Sequence, residues 1–157
     1  MSMHEAGSVP KSVDRVVFGP VTVFLGEKNG KYPDANQVIV TGADVRAALD
    51  APLVANRIGE PFDRADLVVL THVHEDHMAG LHRLPRAPVH VHREDIPAAR
   101  SWQGYADALG VSDAVRPALL QKLEREFHYA PRPDAIPYDD GATWDLGGVS
   151  VRAVHLP

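Results

Sequence analysis

The stretch Asp66-Leu67-Val68-Val69-Leu70-Thr71-His72-Val73-His74-Glu75-Asp76-His77-Met78-Ala79-Gly80 runs from a continuous apolar segment into three histidines and an aspartate within six residues. An unbroken apolar run of strand length, bounded by charge on one side and a polar turn on the other, reads as a central strand covered on both faces. Along an extended chain the side chains at i and i+2 share one side, so the neutral imidazoles of His72 and His74 can converge on one cation. Asp76 and His77 fall where the chain turns toward a helix and face a neighbouring point, which suits a second cation. Two close cations can share a water and lower its pKa from about 15.7 toward about 7. The competing reading is a histidine-rich surface loop in which Asp76 only caps the helix. Bunched His and Asp at a strand end is the arrangement that metal sites use, which favours His72, His74, Asp76 and His77 as metal ligands.

Upstream of this stretch, residues 1–14 are small and polar and read as a flexible leader. Residues 16–25 are apolar and β-branched with Gly19-Pro20 between them, as in a strand pair or a bent strand. Residues 26–35 read as a loop and residues 37–41 as a short buried strand, while residues 43–59 are mixed, with Pro52 breaking any long helix. Downstream, residues 77–84 are compatible with a helix that Pro85 and Pro88 stop, and residues 89–92 are extended. His90 and His92 share one strand face but lack a nearby carboxylate and read as ordinary strand positions. Residues 94–127 read as helical, with Val115, Leu119, Leu120, Leu123 and Phe127 on one stripe and Pro117 at a helix start. Trp102 and Tyr105 in that stretch could form a lid, but an apolar stripe is more simply a helix pair packed on a sheet. Residues 130–140 hold three prolines and read as a connection. Residues 143–146 and 149–154 flank Gly147-Gly148, a tight-hairpin signal.

The composition narrows the function classes. A chain of 157 residues suits one domain, and 45% hydrophobic with 24% charged residues is ordinary for a globular protein. The net charge of −5, with 16 Lys and Arg in no basic run, speaks against nucleic acid as a partner. There is no cysteine, so any metal is held by His and carboxylates. No segment has the roughly 20 apolar residues of a membrane span, nor the apolar core of a secretion signal, and the expected location is cytoplasmic without membrane attachment.

Thr71-His72-Val73-His74-Glu75-Asp76-His77 after a core strand resembles the signature of the metallo-β-lactamase superfamily. Asn36-Gln37-Val38-Ile39-Val40 is similar to an early strand of that family, and Asp140-Gly141 with Leu146-Gly147-Gly148 to its later turn and hairpin. The resemblance covers residues 16–157, with the histidine cluster as its specific part. It implies an α+β fold, the N-terminal half of an αββα sandwich, with a mixed sheet and helices on one face. It also implies that His72 and His74 hold a first metal, that Asp76 and His77 hold a second, and that Asp76 acts catalytically by hydrogen-bonding the attacking water. Val154-His155-Leu156-Pro157 is similar to the segment that leads to the third ligand of the first metal, and His155 is not that ligand. The family's early Asp-x-Gly stands here as Asp50-Ala51-Pro52, a departure near the cleft.

The resemblance implies a metal-dependent hydrolase with two zinc ions, glyoxalase II-like, acting on a small-molecule thioester, lactone or related activated ester. Iron or manganese is compatible with the same ligands, and an iron enzyme with redox or sulfur-dioxygenase chemistry is the first alternative. A non-catalytic fragment or interaction module is the second. A complete family member would need on the order of 80–100 further residues, so residues 15–157 are expected to be the N-terminal part of the domain. Such a part alone is expected to bind metal weakly and be inactive, and its uncovered sheet face is compatible with a homo-oligomer.

Overall fold

A computed structural model describes residues 12–157, so most of the expected leader lies outside the described residues. The described residues build one sheet of seven strands in sequence order: β1 (Arg15–Phe18), β2 (Val21–Phe24), β3 (Gln37–Thr41), β4 (Arg46–Leu49), β5 (Leu67–Val69), β6 (Val89–His92) and β7 (Ile136–Tyr138). The first four pair antiparallel, whereas β4 through β7 pair parallel, and the sheet is therefore mixed. Each parallel step needs a crossover. These carry α1 (Ala55–Ile58) and α2 (Glu60–Asp63), then α3 (Glu75–Met78), then α4 (Ile96–Arg100), α5 (Trp102–Ala108) and α6 (Arg116–Phe127). Because such crossovers are right-handed and the strand order advances in one direction, all of them fall on the same face.

The packing follows. Ile39, Ala48, Val68, Val89 and Val91 share the main core with Phe62, Met78, Tyr105, Leu123 and Phe127 from the crossovers. Alternate residues of the same strands, Val38, Val40, Ala47, Leu49 and Leu67, face the other way and meet Trp144, Leu146, Val149 and Val151. Those belong to a separate hairpin, β8 (Thr143–Asp145) and β9 (Ser150–Arg152), joined by Leu146, Gly147, Gly148 and Val149. The expectation of helices on one face holds. No helix among the described residues is long and apolar enough to cross a membrane.

Three local readings change. Residues 46–49 form β4 inside the stretch read as mixed: Ala47 and Ala48, poor strand formers, are 0% exposed and held by pairing on both sides. Residues 136–138 form β7 within the stretch read as a connection. Among the described residues that strand pairs only with β6, and an edge position tolerates Pro137, which has no N–H to give. The helical stretch 94–127 is three helices, with Pro117 in the first turn of α6 as expected.

The hairpin seats on the sheet through Gly42. A Cβ at that position would run into the Leu146 carbonyl, so only glycine allows the approach. Gly42→Ala should cost about 1–3 kcal/mol, the usual range for forced overpacking. Equilibrium urea unfolding checks this, and a midpoint equal to wild type would contradict the close seating.

Candidate metal centre

At the C-terminal end of β5 the chain stays extended through His74 (φ −132°, ψ 157°) and then enters the single turn of α3. The His72 and His74 rings lie 4.7 Å apart between centroids and nearly perpendicular. α3 brings the His77 ring to 4.0 Å from that of His72, and sets His77 Nε2 3.6 Å from Asp76 Oδ2. The four residues expected as ligands are thus neighbours in space. Asp76 is 9% exposed, and its side chain enters no hydrogen bond among the described residues. Among the described residues no three His, Asp or Glu side chains form a ready-made cage for one ion.

A residue that the motif did not single out organises the cluster. Asp50, just after β4 with φ +60°, accepts the Thr71 N–H at Oδ1 and the Thr71 hydroxyl at Oδ2, both at 2.7 Å. Its Oδ2 also accepts His77 Nδ1–H at 2.8 Å. Since the Thr71 proton goes to Asp50, the 3.3 Å contact between His72 Nδ1 and Thr71 Oγ1 has the imidazole as donor. In their neutral forms both rings therefore present Nε2 lone pairs, the form that a metal needs. Backbone bonds from Ala51 N–H to His77 O (2.9 Å) and from Gly80 N–H to Ala51 O (2.7 Å) lash the same segment to α3. Asp50 was visible in sequence only as the aspartate of an altered Asp-x-Gly.

The electrostatics differ between the rings. Burial lowers the His72 pKa, and repulsion from His77 and His74 lowers it further. Burial also acts to lower that of His77, but the Asp50 hydrogen bond and charge, with Asp76 and Glu75, carry it above the usual value. Glu75 is held below the ordinary carboxylate range despite its burial, by hydrogen bonds from Tyr105 OH, its own backbone N–H and Tyr32 OH, and by the nearby His74.

Beside the cluster lies a cleft of about 370 Å³ lined by Thr71, His72, His92, Tyr138, Asp140 and His155, among others. Tyr138 OH donates to Leu70 O at 2.8 Å, fixing the cleft wall to the end of β5. His92 stacks on His155 at 4.3 Å, and His90 packs edge-on against Trp144 at 5.5 Å, so both strand histidines have aromatic partners. His155 N–H is held by Asp140 Oδ1 at 2.9 Å. Tyr105, considered for a lid, is 1% exposed and part of the core.

Similarity to known proteins agrees with this architecture. Native FEZ-1 metallo-beta-lactamase from Legionella gormanii superposes with a TM-score of 0.64 at 18% identity, over 93% of this chain and 54% of its own. An archaeal metallo-beta-lactamase superfamily protein from Sulfolobus tokodaii gives 0.57 at 23% identity, over 93% and 56%. A subclass B3 metallo-beta-lactamase from a soil metagenome library gives 0.61 at 20%, over 90% and 52%. At these identities the likeness concerns the fold, and the chain spans about half the length of these structures. No curated protein matches the chain. Residues 33–157 match the sequence description of the metallo-beta-lactamase superfamily, and with the sheet and histidine cluster as described, the chain belongs to that superfamily.

Proposed function

We propose that this chain carries the first ligand segment of a metal-dependent hydrolase, with two zinc ions, that cleaves a small thioester, lactone or related activated ester. The observation that carries the reading is the gathering of His72, His74, Asp76 and His77 at the end of β5, with Asp50 setting the tautomers. The donor set fits zinc: two ligand atoms bound at about 2.0–2.2 Å in tetrahedral geometry stand about 3.3–3.6 Å apart. His77 Nε2 and Asp76 Oδ2, 3.6 Å apart without a hydrogen bond between them, have that spacing. His72 and His74 would hold the first ion, and Asp76 and His77 the second. When bound, the metals would polarise the substrate carbonyl and supply hydroxide at neutral pH. Asp76 would also accept a hydrogen bond from the attacking water and so aim it. The adjoining cleft, polar at Asp140 and His92 and aromatic at Tyr138, has the size of a small-molecule site.

Metal analysis of the chain extended to the full length of the domain and purified without added metal, followed by assay against thioesters, lactones and activated esters and by oxygen-uptake measurement, tests the reading. Zinc content that His72→Ala with His74→Ala lowers and that adding Asp76→Ala and His77→Ala removes, together with hydrolysis of one of these ester classes, is the expected result. Iron with substrate-dependent oxygen uptake, or metal retained after all four substitutions, would overturn it.

A further inference from the structure

A four-residue helix such as α3 cannot set its own orientation. Closing one turn fixes more dihedrals than its hydrogen bond repays, and His74 at its N-cap makes no capping hydrogen bond. Beyond the backbone bonds to Ala51, which lie at its C-terminal end, the turn is held by its side chains. His77 is tethered by Asp50. At the other end stands Glu75, the residue between His74 and Asp76. Its Oε2 accepts Tyr105 OH at 2.6 Å and its Oε1 accepts Tyr32 OH at 3.1 Å, while the Glu75 N–H donates to the Tyr105 oxygen at 3.2 Å.

Tyr105 is a fixed post. It is 1% exposed, on α5, and its ring packs against those of Tyr129 at 5.0 Å and Trp102 at 5.8 Å. Tyr32 comes from the loop between β2 and β3, is 60% exposed, and leans on Phe127 at 5.9 Å. Successive residues of a helix project about 100° apart, from 3.6 residues per turn. Holding Glu75 toward α5 therefore fixes where Asp76 and His77 point.

We propose that Glu75 is a positioning residue for the metal cluster: clamped through both carboxylate oxygens by Tyr105 and Tyr32, it sets the rotation of α3 that presents Asp76 and His77. Glu75 is not itself a ligand. The clamp makes metal affinity depend on α5 and on the β2–β3 loop, neither of which supplies a ligand. This inference rests on the metal reading above.

Co²⁺ titration of the chain, followed by its visible absorption, tests it alongside thermal unfolding of the metal-free protein. Tyr105→Phe keeps the ring in the core and removes only the hydroxyl, and is expected to weaken Co²⁺ binding about tenfold or more, the scale of partners lying behind metal ligands. Glu75→Ala should lose at least as much, Glu75→Gln should recover most of the affinity because its amide can still pair with a tyrosine hydroxyl, and Tyr32→Phe should lose less than Tyr105→Phe. These losses should appear at temperatures where every variant is folded. If Glu75→Gln is as damaging as Glu75→Ala while Tyr105→Phe binds like wild type, Glu75 is a ligand and the proposal is wrong. Variants that shift only the unfolding midpoint, with Co²⁺ affinity unchanged, overturn it as well. A wild-type chain that binds no Co²⁺ overturns the metal reading itself, which separates the two failures.

Discussion

In a chain extended to the full length of the domain, Asp76→Ala is expected to reduce hydrolysis by at least about tenfold, and toward complete loss, with little change in the unfolding midpoint. The size follows from role. Groups behind metal ligands are worth about 10–100-fold, and a carboxylate in the role proposed for Asp76, binding the metal and aiming the water, should exceed that range. The preserved stability follows from the surroundings. Although only 9% exposed, the Asp76 side chain enters no hydrogen bond among the described residues, and its Oδ2 stands 3.6 Å from His77 Nε2. Removing its carboxylate therefore leaves no buried donor without a partner, the usual source of a large destabilisation. The measurement is turnover of whichever activated ester the wild type accepts, beside a thermal melt. Wild-type turnover in the variant would remove Asp76 from the reaction.

Asp50→Ala should be the reverse case, a large loss of stability. Three donors converge on this one side chain, which is 13% exposed, and two of them, the Thr71 N–H and the His77 Nδ1–H, hold the cluster segment in place. Leaving such donors unpaired costs about 1–3 kcal/mol each when buried. Alanine also tolerates φ +60° less well than aspartate, by about 1 kcal/mol. Partial exposure lets water recover some of this, and the expected loss is about 2–4 kcal/mol by urea unfolding. A loss under about 0.5 kcal/mol would contradict the tether. Asp50→Asn separates structure from chemistry. Its Oδ1 still serves the Thr71 N–H and the backbone strain is tolerated, but an amide nitrogen facing His77 would drive that ring to the other tautomer, with Nε2–H toward Asp76. Nitrogen chemical shifts of the His77 ring should report the switch, and zinc affinity should fall more than stability does.

How much was legible in the sequence differs by residue. β3, β5 and β6 announce themselves because runs such as Leu67-Val68-Val69 have no other place to go than a covered sheet, and the Gly147-Gly148 hairpin because two positive φ angles there (86° and 74°) demand glycine. β4 and β7 do not. Arg46-Ala47-Ala48-Leu49 is a strand because it is held between the adjacent β3 and the more distant β5, and Ile136-Pro137-Tyr138 because β6, remote in sequence, offers it hydrogen bonds.

The same division runs through the site. The sequence alone determined which side chains gather, because His72, His74, Asp76 and His77 are joined by a few bonds at a strand end, and local geometry keeps them close whatever surrounds them. Tertiary structure decided how they are aimed. Asp50 reaches His77 across 27 positions and Tyr105 reaches Glu75 across 30, and no local pattern records such pairs. A one-turn helix has no stiffness of its own, so the tautomers and directions of the side chains it carries are set by whatever the folded chain brings against it.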